Sequence, residues 1–160
     1  MVISVRPAQP EDSAEILRLI GALAAFEAAP AAPTISEEVI RRDGFGDRRR
    51  FEALLAERDG RVCGMAILYQ GYSSWRGAPT LMVHDLFVEE GARRSGTGKA
   101  LLAAAAKLAS QCGCCRMDVN VLGWNVKARQ FYERLGFAPL GDWLPYRLDG
   151  AGIDRLAKGK

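Results

Sequence analysis

Val83-His84-Asp85-Leu86-Phe87-Val88 is followed, four residues on, by Arg93-Arg94-Ser95-Gly96-Thr97-Gly98-Lys99-Ala100-Leu101-Leu102. An apolar strand thus runs through a short basic glycine turn directly into an alanine-rich helix. Free N–H groups at a helix start attract anions, so this order prepares a cradle for a diphosphate. Gly96 and Gly98 let the main chain approach a ligand where a Cβ would collide, and Arg93, Arg94 and Lys99 add positive charge around the rim.

Spacing excludes two familiar phosphate binders. A nucleotide P-loop needs Gly-x-x-x-x-Gly-Lys-Ser/Thr, but Arg93 stands five residues before Gly98 and Ala100 occupies the place of the magnesium-binding hydroxyl. The dinucleotide fingerprint fails because Leu101 follows where a third glycine belongs. What remains is Arg-x-x-Gly-x-Gly at Arg93, Gly96 and Gly98, readable by itself as an anion cradle or as a plain turn with a solvated basic edge. Downstream, after one more helix and strand, comes Trp124-Asn125-Val126-Lys127-Ala128-Arg129-Gln130-Phe131-Tyr132-Glu133-Arg134-Leu135-Gly136-Phe137. Its pattern predicts a short helix with Asn125 as N-cap, Ala128, Phe131, Tyr132 and Leu135 on one face, and Gly136 as its stop. Together the two blocks resemble the signatures of the GNAT superfamily of N-acetyltransferases.

Composition is consistent with one domain spanning residues 1–160. A chain of 160 residues buries roughly 68–70% of its unfolded surface, enough for one substantial core. The net charge of +3 is too mild to imply a nucleic-acid partner, and Arg48-Arg49-Arg50 beside Asp43 and Asp47 reads as a solvated turn. No apolar run approaches the ~18 residues of a membrane span, and the first residues lack a signal peptide's apolar region, so a cytoplasmic protein is expected. Cys112, Cys114 and Cys115 are crowded, yet Cys63 and the lone His84 offer no second ligand pair at metal spacing. Reduced thiols and no metal are expected.

Ile3 to Arg6 alternates like a strand, and a helix opens at Pro10-Glu11-Asp12-Ser13 with Ile16, Leu17, Leu19, Ile20, Leu23 and Phe26 at helical spacing. A second helix starts at Ser36 and ends before Gly44-Phe45-Gly46. Phe51 to Glu57 and Val62 to Gly71, about the turn at Asp59-Gly60, form a hairpin. Thr80 to Val88 is the central strand, 96–111 a helix stopped by Gly113, and 115–122 the next strand. Phe137–Leu140 and Tyr146–Leu148 are expected to close the sheet, with a frayed tail from Gly150 that Ile153 and Leu156 dock. The predicted class is α/β, a GNAT-type mixed and mostly antiparallel sheet with flanking helices in the order β-α-α-β-β-β-α-β-α-β-β.

The resemblance narrows over nearly the whole chain. Arg6-Pro7-Ala8 with Glu11-Asp12, Asp43-Gly44-Phe45-Gly46, Tyr72-x-x-Trp75 and Trp124-Asn125 look like the diamine (polyamine and thialysine) acetyltransferase branch. That branch usually carries aspartate where Ser73 stands and glutamate where His84 stands. The resemblance implies an acetyl-CoA-dependent enzyme acetylating a small primary amine, diamine or lysine-like, by direct attack in a ternary complex, and commonly a homodimer. Aminoglycoside or protein amines as acceptors, or a silent acyl-CoA-binding module, are the alternatives. It implies that Tyr132 is the acid near the sulfur, that backbone groups of Leu86, Phe87 and Val88 pair with the pantetheine arm, that amides from Arg94 through Ser95, Gly96, Thr97 and Gly98 to Lys99 hold the diphosphate, and that Asn125 reaches the pantetheine. An alkyl ammonium is almost wholly protonated at pH 7, so attack needs a base. His84 either takes that proton, with Asp85 orienting it or binding the ammonium, or is an ordinary strand residue. Tyr72, Trp75 and Asp85 are the expected amine contacts.

Overall fold

Proline and serine open the first helix as expected. In the computed structural model, which describes residues 2–159, a 3-10 turn at Pro10–Asp12 leads into α1 (Ser13–Phe26). Asp12 accepts from the Gln9 amide at 2.7 Å and from Arg6 through both terminal nitrogens, at 2.7 and 2.9 Å, while Arg6 Nε donates to Glu57 at 2.7 Å. The helix thereby fastens to β1 (Ile3–Pro7) and β2 (Glu52–Arg58). Ser36 caps α2 (Glu37–Phe45), its hydroxyl accepting from the Val39 amide at 3.2 Å.

The residues fall into two compact units, divided between Asn120 and Val121. In the first, β1, β2, β3 (Arg61–Ser73), β4 (Ala78–Val88) and β5 (Met117–Val119) form one sheet in that order. The first four are antiparallel neighbours; β5 joins β4 in parallel after the crossover through α3 (Thr97–Gln111). Ile16 and Leu19 of α1 and Ile40 of α2 are wholly buried among Leu55, Met65, Ile67 and Phe87. Burying each such side chain stabilises by roughly 1.5–3 kcal/mol. On α3, Leu101, Leu102, Ala105 and Ala109 are buried, and a Cβ on Gly64 would stand 2.9 Å from the Phe87 carbonyl oxygen and 3.4 Å from Leu101. Small residues there let helix, β3 and β4 approach closely.

The second unit holds α4 (Val126–Arg134) and α5 (Gly150–Ala157). Asn125 Oδ1 caps α4 by accepting from the Ala128 amide at 3.1 Å, and Gly136 (φ +91°) ends it. Two expectations are corrected. The strands at 137–140 and 146–148 do not form: Pro139 and Pro145 each remove an amide donor, and a turn falls at Gly141-Asp142. The frayed tail is instead α5, capped by the Asp149 carboxylate on the Gly152 amide at 2.6 Å, and Ile153 and Leu156 stand exposed rather than docked.

Candidate active site

The turn after β4 ends in a left-handed residue. Gly96 has φ +93° at the N-cap of α3, with open space where a Cβ would stand. Ala100 is the first amide to close onto a carbonyl, that of Gly96 at 2.9 Å, leaving the amides of Thr97, Gly98 and Lys99 without an intrahelical acceptor. The hydroxyls turn inward: Ser95 Oγ donates to the Ala92 carbonyl at 2.7 Å and lies 2.8 Å from Thr97 Oγ1. The lip of the cradle is therefore backbone, in keeping with a diphosphate as its occupant. Arg93 is a fastener rather than a free rim cation. Its Nε donates to the Val88 carbonyl at 2.9 Å, and its guanidinium lies 4.5 Å from the Phe26 ring centre. Arg94 (φ +62°) and Lys99 are exposed.

Just upstream the sheet unzips. β5 pairs with β4 through Leu81, Met82 and Val83, so among the described residues the β4 edge from His84 through Leu86, Phe87 and Val88 has no strand beside it on that side. Against β3 the register slips at the same place, Ile67 facing Asp85 and Leu68 facing Val83, which makes His84 the extra residue of a bulge. The His84 side chain is solvent-accessible, its ring 5.8 Å from that of Tyr69. Asp85 is half-buried; lost hydration raises its pKa above the ordinary aspartate range, partly countered by His84.

Glu27 enters the same electrostatic group. Its pKa is raised by partial desolvation and then by the Asp85 charge. Sequence reading missed it, because 58 positions separate it from Asp85. A signal existed nonetheless: Glu27 is the C-cap of α1, where the helix dipole disfavours an anion.

Tyr72 and Trp75 lie at the far end of the β3–β4 hairpin. Tyr72 pairs with Pro79 and Ile67 with Asp85, five β3 residues apart, or about 16 Å of strand. Trp75 is 97% exposed. Ser73 is buried and closes the hairpin turn, its hydroxyl accepting from the Arg76 amide at 3.2 Å. In the second unit, Tyr132 is buried on α4 between the edges of Phe131 and Phe137, ring centres 5.2 and 5.4 Å away. Burial pushes its phenol up to about 12, so it stays protonated through neutral pH. Among the described residues no group of three or more His, Cys, Asp or Glu could hold a metal, and the four cysteines are free thiols.

Comparison with known proteins bears on the same residues. The model of the acetyltransferase (GNAT) family matches residues 20–137, which include Glu27, the β4 bulge, the cradle and Tyr132. The chain belongs to the GNAT acetyltransferase family. Mouse thialysine N-epsilon-acetyltransferase is 34% identical over 164 residues, spanning 96% of each chain. Arabidopsis thaliana L-ornithine N5-acetyltransferase is 35% identical over 97 residues, 61% of this chain and 42% of that one. Among solved structures, a V. cholerae integron cassette protein superposes with a TM-score of 0.82 at 22% identity over 99% of each chain, a likeness of fold. This GNAT acetyltransferase is thus an N-acetyltransferase, and no helix among its described residues is long and apolar enough to cross a membrane.

Proposed function

We propose that this acetyltransferase acetylates a primary amine of a small molecule, a diamine, polyamine or lysine-like compound, using acetyl-CoA by direct attack in a ternary complex. The observation that carries the proposal is the open β4 edge, which leads from His84 and Asp85 toward the free amides of Thr97 to Lys99. Acetyl-CoA supplies the thioester carbonyl that the amine attacks. Amides from Arg94 to Lys99 hold the diphosphate, and Leu86, Phe87 and Val88 offer main-chain groups to the pantetheine arm. Asn125 spends its oxygen on the helix cap, leaving its NH2 group to donate to the same arm.

Asp85 and Glu27 receive the ammonium. Their pKa values are raised first by lost hydration, and an incoming ammonium offsets that loss by stabilising the charged carboxylates. His84, exposed on the bulge, takes the proton directly or through water, and the protonated Tyr132 phenol serves as acid for the departing thiolate. Tyr72 and Trp75, some 16 Å along the hairpin, meet only the far end of an elongated acceptor. The names of the thialysine and ornithine enzymes support an acceptor carrying a second charged group.

We also take residues 1–160 as a single catalytic domain of a cytoplasmic homodimer, the second copy covering the apolar residues that the C-terminal segment exposes. The test of the acceptor is thiol release from acetyl-CoA over a panel of diamines, lysine analogues, aminoglycosides and peptide N-termini. Turnover with the first two classes is the expected result. Robust acetylation of the peptide alone overturns the acceptor assignment, and acetyl-CoA binding without turnover on any amine overturns catalysis.

A further inference from the structure

A cavity of about 330 Å³ opens on the first unit, lined by none of residues 84–99. It exists because α3 is alanine-rich: Ala104 and Leu108 line one side, and Pro7 of β1 and Leu54 of β2, paired neighbours in the sheet, line another. Where Ala104 stands, a larger side chain would fill part of the space. The volume lies at the lower end of the range for small-molecule pockets.

The charges around this apolar lining are uneven. Arg6 also borders the cavity, but its guanidinium is committed to Asp12 and Glu57. Arg49 and Lys107 are exposed cations with no ion-pair partner among the described residues, and Glu52 is the one carboxylate among the lining residues. Arg49 belongs to the basic run 48–50 that the acetyl-transfer chemistry does not use. An arginine fork and an ammonium suit a carboxylate, and the apolar lining would be wasted on a bare phosphate or a fully polar anion.

We propose that this cavity is a second ligand site that takes a small amphipathic carboxylate, its headgroup at Arg49 and Lys107 and its apolar body against Pro7, Leu54 and Leu108. Ala104 is seven residues into α3 from Thr97, about 10 Å along the helix axis, so occupancy is separable from cofactor binding. The test is calorimetric titration of the full chain with octanoate, in saturating coenzyme A to block the cofactor groove, with octyltrimethylammonium as the opposite-charge probe. Saturable one-site binding of octanoate is expected, at least tenfold tighter than the cation. Arg49→Glu with Lys107→Glu, both at exposed positions, should reverse that preference, and Ala104→Phe should abolish binding of both probes. Absence of saturable octanoate binding, unchanged affinity in the charge-reversed protein, or equal binding by a folded Ala104→Phe variant overturns the site.

Discussion

At the scale of single residues, Tyr132 and Asp85 separate chemistry from stability. Tyr132→Phe keeps the ring between Phe131 and Phe137 and removes only the hydroxyl. The expected outcome is a kcat lowered about 10²–10⁴-fold with nearly unchanged Tm and acetyl-CoA affinity, measured by thiol release and thermal unfolding. Asp85 makes the opposite trade. Its folded-state pKa is raised, so between the unfolded value and the raised one the folded protein binds more protons, and stability falls as pH rises through that window. Asp85→Asn should therefore raise Tm at neutral pH, with no gain near pH 3, while amine affinity drops. A variant stabilised equally at both pH values would refute the charge argument. Tyr132, His84, Asp85 and the glycine turn could be named as candidates from sequence because each sits in a local pattern; Glu27 could not, since its electrostatic relation to Asp85 comes from tertiary packing of α1.

At the scale of elements, the decisive features are a bulge and a cap. The bulge opposite Ile67 and Leu68 was invisible in sequence, because it is a slip of register between β3 and β4 and shows only once the two strands are paired. The α3 cap was readable from its glycines, and the strand-turn-helix order around it fell within two residues of the observed Ala78–Val88 and Thr97–Gln111. Apolar residues at 137–148 suggested strands, but prolines and the lack of a neighbouring ladder outweighed residue preference. Gly96 tests the cap directly. With φ +93° and free space beside it, Gly96→Ala strains the backbone without a clash and should destabilise by about 1 kcal/mol, weakening acetyl-CoA only modestly. Gly96→Glu adds bulk and negative charge at the proposed diphosphate site and should abolish acetyl-CoA binding by calorimetry while the protein stays folded. Normal affinity in that variant removes the cradle from the mechanism.

At the scale of the whole molecule, acid and association are the two conditions that should unmake it. Arg6 holds the Asp12 carboxyl below the ordinary range, so this contribution is present above the unfolded pKa and lost as pH falls through the folded one. Asp12→Asn should lower Tm at pH 7 and flatten its decline below pH 4. The proposed association rests on the C-terminal segment. Leu140, Trp143, Leu144, Tyr146, Leu148, Ile153 and Leu156 are each more than half exposed, an apolar-rich set of side chains that a second copy would cover. Sedimentation at micromolar concentration should give about twice the 17.4 kDa chain mass, and Trp143→Ser with Tyr146→Ser should shift it to the monomer and make Tm insensitive to protein concentration. A wild-type chain that sediments as a monomer across that range shows that no second copy covers this surface.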